Sequence, residues 1–487
     1  MRITTFFLSV AVGAAALTNQ SLWIDEAHSA FKTLQPTLAQ WWNAMSMDRG
    51  SDLQMPVYML YLWGWGKLFG TSEIALRAAN VPWFAVGMLA LVSALSKDRP
   101  LRICLAAAAL TNAFLWYYMS EARPYIMLFG CSALAAGSLF HLWQQREDLL
   151  HSPVVYRAFC IGIIGMCSTN LIAVPWAAGF LLGGLYIIGF GGAVAAVRRF
   201  PIMSGVTIFL LILLALYYLW SLRMGARGTE IARTGWSNIA FSFYEMLGIA
   251  GLGPGRLALR GDWLHALIKY LPAVSVGAAA ALGLCAAGVA QLRSKATSDR
   301  ILLVCLAVAL PAVVVVLAAM ATHLRLVGRH FTPMLPYLLI LLAFGLRRTI
   351  FSGRAMDRVA GAVALTVLFS SALQIRFAER HNRDDYRSAA AETRTALAQG
   401  RVVWWAADPN AASYYQVPLD SPNLILSSNL SDESLHAAAE PDLVCLSKPD
   451  IYDPSGRIAH YLQQHHFKEI RQLWAFEIFE RPRRLAR

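Results

Sequence analysis

Charged residues are scarce in this 487-residue chain. Asp, Glu, Lys and Arg together make up 15% of it, whereas about a quarter of a soluble globular chain is charged. Hydrophobic residues make up 57%, the mean hydropathy is +0.48, and neither internal repeats nor low-complexity stretches occur. The composition excludes a large soluble enzyme and a disordered chain, and it favours an integral membrane protein with several spans.

Acidic residues are scarcer than basic residues. The chain has 42 Lys and Arg against 29 Asp and Glu, which gives a formal net charge of +13. A nucleic-acid-binding protein can show such a balance, but not with so much apolar sequence, so we expect no nucleic-acid partner. Basic cytoplasmic loops of a membrane protein produce the same balance.

Cysteine is sparse as well, and the spacing of the seven cysteines matches no zinc site. Six of them lie inside apolar runs, where a cysteine is expected to be a small buried hydrophobic residue. Cys445 stands alone in the C-terminal region. That region therefore cannot close a disulfide of its own.

Long apolar runs are abundant. A bilayer span takes about 20 apolar residues, and the sequence predicts about eleven spans, at 3–19, 73–96, 103–120, 124–143, 158–173, 174–197, 201–220, 263–290, 301–321, 331–346 and 359–375. The shorter segment 55–70, rich in Trp and Tyr, is predicted to be a helix at the membrane interface. The first span has an alternative interpretation, a signal peptide that begins at Arg2.

The basic residues predict the orientation. With the N-terminus in the cytoplasm, the short inner loops hold many of them, at Lys97, Arg99, Arg102, Arg146, Arg157, Arg198, Arg199, Arg293, Lys295, Arg300, Arg347, Arg348, Arg354 and Arg358. An odd number of spans then places the C-terminal tail, residues 376–487, outside. The outer segments contain arginines that orientation does not require, at Arg223, Arg227, Arg233, Arg256, Arg260, Arg325 and Arg329, and these are a first functional hint.

The sequence predicts two domains. Residues 1–375 form an all-α polytopic membrane domain with long outer loops at 20–72 and 221–262. Residues 376–487 form a small soluble α/β domain, with strands at 402–406, 424–426, 443–446 and 474–479 and helices from about 409 and at 456–466. Asp384 and Asp385 are predicted to cap a helix at 386–397.

Two outer turns combine an arginine with a proline suited to the first turn of the next span. Arg123 lies in one of them, and Arg329 lies in the other beside His330. Because helix N-termini favour anions and a guanidinium binds phosphate bidentately, these turns are candidate phosphate sites. Arg123 could instead be a snorkelling anchor paired with Glu121. Arg77, just inside its span, either faces a polar cavity or snorkels.

Two adjacent carboxylates, Asp25 and Glu26, follow the first span. They are either the solvated cap of an interfacial helix that begins near Ala27, or Asp25 is a general base. His28 would share a helical face with Asp25. It could complete a metal site with Asp25 and Glu26 or be an ordinary interfacial histidine. Asp52 is either a substrate contact or a solvated loop residue.

Carboxylates and arginines gathered on one membrane face suit the transfer of a group from a lipid phosphate. The leaving phosphate needs positive charge, and the acceptor hydroxyl needs a base. Outside the cytoplasm there is no nucleotide pool, so the donor would be lipid-linked. The alternatives are a transporter or flippase of lipid-linked sugars, for which paired halves and broken helices are expected, and a non-catalytic scaffold whose tail binds a partner.

Five motifs in order resemble those of GT-C glycosyltransferases of the protein O-mannosyltransferase and aminoarabinose-transferase-like group (family 39/83 type). They are Trp23–Ala27, Phe69–Arg77, Glu121–Tyr125, Gly328–His330 with Pro333 and Pro336, and Asp385–Arg387. The resemblance covers essentially the whole chain. Where the family has a His-Pro-Pro-Leu or Lys-Pro-Pro-Leu run, this chain has Gln54-Met55-Pro56-Val57-Tyr58 and so lacks the basic residue and one proline.

The resemblance implies an enzyme that transfers a hexosyl or pentosyl group from a polyprenyl-phosphate donor, with inversion, at the outer face of the membrane. Asp25 would be the catalytic base, and Glu26 would support it or help hold a divalent cation. The residues that would bind the lipid phosphate are Arg77, Arg123, Tyr125, Arg329 and His330, and those that would contact substrate are Asp52 and Tyr58. We expect a multi-pass protein of the bacterial inner membrane, with a periplasmic tail, whose acceptor is a hydroxyl of a cell-envelope glycan such as lipid A, another lipid or a protein.

Overall fold

The computed structural model describes residues 2–48, 50–95, 98–144, 152–225, 234–261, 263–293, 303–322, 324–427, 430, 434 and 438–482. They pack as two compact units. The membrane unit comprises Met1–Thr18, Trp42–Trp65 and Arg77–His381, and the tail unit comprises Asn19–Trp41, Gly66–Leu76 and Asn382–Arg487. The tail unit thus includes two segments of the predicted first outer loop, a grouping that the sequence did not indicate. The predicted domain boundary near residue 375 stays a prediction.

Helices make up the chain ahead of the tail. The α-helices are Arg2–Ala16, Ile24–Thr33, Leu38–Asp48, Pro56–Phe69, Glu73–Ala78, Asn80–Ala94, Arg99–Leu110, Ala113–Met119, Tyr125–Gln144, Pro153–Thr169, Val174–Arg199, Pro201–Arg223, Trp236–Met246, Arg256–Gly261, Trp263–Arg293, Leu310–Ala321, Leu335–Ile350 and Ala355–Phe377. A π-helical turn at Cys305–Ala309 and 3-10 turns at Ser51–Gln54, Leu171–Ala173, Ala250–Leu252, Gly328–Met334 and Glu379–His381 connect them. The predicted interfacial segment 55–70 is the helix Pro56–Phe69, and its place in the membrane stays a prediction.

Apolar helices stand at all eleven predicted span positions. Among the described residues, seven are long and apolar enough to cross a membrane, namely Glu73–Ala94, Tyr125–Gln144, Leu171–Arg199, Pro201–Arg223, Trp263–Arg293, Gly328–Ile350 and Ala355–Phe377. A bent pair, Arg99–Leu110 with Ala113–Met119, adds an eighth if it is one span, and Arg2–Ala16, Pro153–Thr169 and Cys305–Ala321 are shorter. The all-α polytopic class is confirmed. Of the predicted loop charges, Lys97, Arg146, Arg227, Arg233, Lys295 and Arg300 lie outside the described residues.

The predicted span 103–120 is broken near its middle. Its two halves meet at an angle of 55°. Asn112 causes the break: its side-chain oxygen accepts a hydrogen bond from the Leu115 amide at 3.2 Å and so caps a new helix. Its amide nitrogen donates to the Met246 carbonyl at 3.3 Å, which ties the break to the second outer loop.

Close helix packing positions the turn that contains Arg123. A Cβ on Gly130 would lie 2.7 Å from the Trp83 carbonyl oxygen, so a glycine is required where these two spans cross, as is common between membrane helices. On the same pair of spans, the buried Asn80 donates a hydrogen bond to the Glu121 carbonyl at 2.5 Å. The turn is therefore attached to the neighbouring span through its backbone.

The tail folds around a five-stranded mixed sheet. Its strands are β1 (Val403–Ala406), β2 (Leu424–Ile425), β3 (Leu443–Ser447), β4 (Lys468–Leu473) and β5 (Phe476–Glu480), in the order β2-β1-β3-β5-β4. β1 pairs in parallel with β2 and β3, and β5 pairs antiparallel with β3 and β4. The helices are Tyr386–Ala398, Pro409–Tyr414, Pro449–Tyr452 and Arg457–Gln464.

The predicted α/β tail is confirmed. Trp404 and Val444 on the sheet pack against Ile458 and Tyr461 of one helix, and Asp385 caps another, as predicted, by accepting a hydrogen bond from the Ser388 amide at 3.1 Å. The sequence missed β4, an edge strand whose side chains are almost all exposed. An edge strand of polar residues carries no hydrophobic alternation by which it could be recognised.

Candidate active site

The two adjacent carboxylates lie in the first turn of the helix Ile24–Thr33, the acidic helix. The residue at its N-cap is Trp23, whose side chain makes no capping hydrogen bond, so neither carboxylate occupies the predicted N-cap position. Glu26 is fully buried and Asp25 is partly exposed. The interpretation of both as a solvated cap was therefore wrong. Neighbouring carboxyl groups in such different environments can serve different roles.

Glu26 forms a buried ion pair within the tail unit. Arg383 Nη1 lies 2.7 Å from its Oε2, and the two side chains are 6% and 0% exposed. A carboxylate in such a place is stable only with a close positive partner and good hydrogen bonds. Arg383, at the start of the tail, supplies both. The sequence did not identify Arg383, because nothing local relates it to a residue 357 positions away.

His28 is bound by two residues of the tail. Its Nε2 lies 2.9 Å from Asp408 Oδ2, and its Nδ1 lies 3.1 Å from the amide nitrogen of Asn410. Among the described residues, no group of three or more His, Cys, Asp and Glu side chains could hold a metal ion. Asp25, Glu26 and His28 do not fit a cation site, since a guanidinium already faces Glu26.

Arg123 and Asp52 form a buried ion pair in the membrane unit. Arg123 Nη1 lies 2.7 Å from Asp52 Oδ1, and both side chains are 4% exposed. Asp52 belongs to the 3-10 turn Ser51–Gln54, so the interpretation of Asp52 as a solvated loop residue was wrong. Tyr58, on the following helix, is fully buried. The snorkelling alternative for Arg123 does not apply either, because the guanidinium is buried in protein.

Arg329 lies beside an aromatic ring of the Glu121–Tyr125 turn. Its guanidinium carbon is 5.4 Å from the centre of the Tyr125 ring, within the range of a cation–π interaction. Arg329 and His330 belong to a 3-10 segment, Gly328–Met334, and the α-helix predicted from residue 331 begins only at Leu335. His330 Nδ1 accepts a hydrogen bond from the Val327 amide at 3.2 Å. The structure thus joins the two predicted phosphate turns.

Arg77 is fully buried in the membrane unit. Its Nη1 donates to the Thr18 carbonyl at 3.0 Å and contacts the Thr18 hydroxyl at 3.3 Å. Arg77 therefore connects the end of the first helix to its own span. Its predicted role in phosphate binding stays a prediction, as do the roles of the other site residues.

Comparison with known proteins gives a match in fold. No family model and no curated protein matches the sequence. The crystal structure of ArnT from Cupriavidus metallidurans in the apo state covers 99% of this chain and 97% of its own, at 11% identity and a TM-score of 0.56. The chain has the ArnT fold. The crystal structure of ArnT bound to undecaprenyl phosphate covers 99% of this chain and 98% of its own, at 12% identity and a TM-score of 0.52. The resemblance predicted from five motifs is confirmed as a likeness of fold.

In this ArnT fold, two side chains of the second outer loop contact the predicted phosphate turns. Glu245 accepts a hydrogen bond from the Gly328 amide at 3.0 Å and one from Arg256 Nη2 at 2.5 Å. Arg256 also lies over the Tyr117 ring at 4.0 Å and within 4.0 Å of Glu121. Arg256 is one of the outer arginines that orientation does not require, whereas no sequence signal points to Glu245.

A small cavity of about 30 Å³ lies beside this pair. Among the residues around it are Tyr117, Tyr244, Glu245, Arg256 and His381. Burial is the main reason that the pKa of His381 is lowered to about 4; the nearby Arg380 and Arg256 also lower it, and a hydrogen bond with the Gly251 carbonyl raises it. His381 is therefore neutral at pH 7. The cavity is large enough for a water molecule but not for a sugar.

Proposed function

We propose that this protein is an integral-membrane glycosyltransferase that moves a sugar from a polyprenyl-phosphate-linked donor to an acceptor hydroxyl. The observation that carries the proposal is the ArnT fold over 99% of the chain, together with the capture of undecaprenyl phosphate by ArnT itself. The sequence alternatives, a flippase and a scaffold, have no comparable support.

The guanidinium groups of the membrane unit suit the leaving group. As the bond between the sugar and the phosphate breaks, negative charge grows on the phosphate oxygen, and positive groups fixed in advance stabilise it. We assign this role to Arg123 and Arg329, with Tyr125, His330 and Arg77 as further phosphate-binding residues. Arg123 is oriented by Asp52 at 2.7 Å, so Asp52 acts through Arg123. Direct substrate contacts of Asp52 and Tyr58 stay a prediction.

Asp25 suits the role of general base. It is the accessible member of the acidic pair, whereas Glu26 is buried against Arg383. In the proposed step, Asp25 takes the proton of the acceptor hydroxyl. The acceptor oxygen bonds to the anomeric carbon, and the electron pair of the broken bond stays on the polyprenyl phosphate. The products are the new glycoside and the free lipid phosphate, with the proton on Asp25.

The location is proposed from the charge of the loops. Short basic loops favour a cytoplasmic N-terminus and a periplasmic tail in a bacterial inner membrane, where the acceptor would be a hydroxyl of a cell-envelope glycan, lipid or protein. Reporter fusions after residues 200 and 375 would test this topology. A periplasmic reporter active at 375 but not at 200 is the expected result, and the opposite pattern would refute it.

The reaction is tested by changing Asp25 to Asn in the purified protein, with a polyprenyl-phosphate sugar as donor and lipid A as acceptor. Loss of a general base lowers a rate by about 10² to 10⁴ fold, and we expect a loss in this range. Asp420→Asn, at an exposed tail position, is the matched control. Full transfer by Asp25→Asn at normal expression would remove Asp25 from its role. Movement of the donor lipid with no new glycan in the wild type would favour a flippase.

A further inference from the structure

The acidic helix is attached to the tail at three successive points. Just before the helix, the Tyr415 hydroxyl accepts a hydrogen bond from the Leu22 amide at 2.8 Å. In its first turn Arg383 pairs with Glu26, and in its second turn Asp408 binds His28. All of these residues belong to the tail unit. The tail therefore holds both the beginning and the middle of a ten-residue helix.

Asp408 is itself held rigidly. Its Oδ1 accepts a hydrogen bond from the Ala411 amide at 2.7 Å and so caps the helix Pro409–Tyr414. Its backbone carbonyl accepts a hydrogen bond from the Trp405 indole at 3.2 Å. The remaining oxygen, Oδ2, is the one that meets His28. An aspartate whose backbone carbonyl and Oδ1 are both hydrogen-bonded is well suited to orient an imidazole through its other oxygen, as aspartates do in many sites.

The contacts of His28 also fix its tautomer. The Asn410 amide nitrogen is a donor, so Nδ1 is the acceptor of that hydrogen bond and Nε2 carries the proton that Asp408 accepts. The imidazole is thereby occupied on both nitrogens. This arrangement holds the helix and leaves neither nitrogen to take a proton from a substrate.

We propose that Arg383 and Asp408 are positioning residues of the transferase: through Glu26 and His28 they set the place and orientation of the helix turn that presents Asp25. The proposal rests on the function proposed above, and it assigns Glu26 to an ion pair and not to proton transfer. A displacement of about 1 Å at a catalytic group lowers turnover by about a hundredfold without a comparable effect on substrate binding. The loss is therefore expected in kcat and not in the KM for the donor.

The first experiment compares Arg383→Gln, Glu26→Gln and the double variant. Each single change leaves one charge buried without its partner, and we expect kcat to fall at least tenfold with a donor KM within twofold of wild type. In the double variant two amides face each other with no net charge, and kcat should return to within about threefold of wild type. If the double variant is as inactive as Glu26→Gln alone, the Glu26 charge acts in the reaction and the proposal is refuted.

The second experiment uses Asp408→Asn, which keeps the shape but weakens the contact with His28. A fall in kcat of about tenfold at unchanged donor KM is expected, and an unchanged kcat would refute the role of Asp408. Arg401→Gln is the matched control, because Arg401 forms a tail ion pair with Glu480 at 2.7 Å that is more exposed, at 25% and 33%. It should leave kcat unchanged.

The two proposals fail in distinguishable ways. If the wild type forms no glycan, the proposed function falls. If the wild type is active and Asp25→Asn is inactive while Arg383→Gln and Asp408→Asn turn over normally, the proposed function stands and this inference falls. If Arg383→Gln alone fails to fold, the double variant and Asp408→Asn still test the proposed positioning role.

Discussion

The ion pair between Asp52 and Arg123 allows the sharpest test of how this fold is stabilised. Both side chains are 4% exposed and the charged atoms are 2.7 Å apart. Removing one partner of such a pair leaves an uncompensated buried charge and typically costs about 3–5 kcal/mol. We therefore expect Asp52→Leu and Arg123→Met each to lower the free energy of unfolding by about that amount.

The double variant measures the coupling energy between Asp52 and Arg123. Because replacing a whole buried pair by apolar residues is often neutral, Asp52→Leu with Arg123→Met should recover most of the stability. The coupling energy, which is the sum of the two single losses less the loss in the double variant, should then be about 5 kcal/mol or more. The measurement is equilibrium unfolding of the purified protein in detergent. The exposed pair Arg471 and Glu392, at 51% and 37% exposure, is the control, with a coupling of about 0.2–1 kcal/mol.

The same variants separate the two roles of Arg123. If Arg123 binds the donor phosphate as proposed, the double variant regains stability but its kcat/KM for the donor stays low. If Arg123 only pairs with Asp52, stability and transfer recover together. A coupling energy below about 1 kcal/mol would contradict the argument from burial, because the pair would then behave like a surface contact.

Three further predictions concern packing, pH and the second outer loop. Gly345→Ala should lower the free energy of unfolding by about 1–3 kcal/mol, because the added Cβ would lie 2.0 Å from a backbone oxygen. Gly283→Ala, whose Cβ would have nothing within 4 Å, is the control and should be neutral in the same melting assay. Equal melting temperatures for the two variants would contradict the argument from packing. Because the pKa of His381 is depressed in the fold to about 4, the unfolded chain takes up its proton first as the pH falls from 6.5, so acid should lower stability by on the order of 1–3 kcal/mol between pH 6.5 and 4. His381→Asn should reduce this pH dependence, and an unchanged slope would show that His381 is not its cause. Glu245→Gln should raise the donor KM about tenfold, because a charge-assisted hydrogen bond to the Gly328 turn is worth about 1.5 kcal/mol or more, and an unchanged KM would refute that role.

Much of the fold was predictable because a bilayer restricts the choices. A backbone in hydrocarbon must satisfy its own hydrogen bonds, so each long apolar run becomes a helix whose position can be read locally. The eleven predicted positions all hold apolar helices. The break at Asn112 was not predicted, because an asparagine within an apolar run indicates a cap only once its hydrogen bond is seen.

The candidate site was predictable only in part. Asp25 was recognised as one of two adjacent carboxylates after the first span, and Arg123 and Arg329 as arginines that precede a helix with proline in its first turn. Glu245 was not, since no motif marks it in the helix Trp236–Met246, and its importance comes from a contact with a residue 83 positions away.

Sequence alone thus determined where the helices and most strands lie, because hydrophobic periodicity and caps act over a few residues. Tertiary structure decided which charges meet: Glu26 with Arg383, and Asp52 with Arg123. The reason is that the free energy of a buried charge depends on what surrounds it in space. A guanidinium brought from a distant part of the chain turns an unfavourable carboxylate into a stable one, and no local pattern records that encounter.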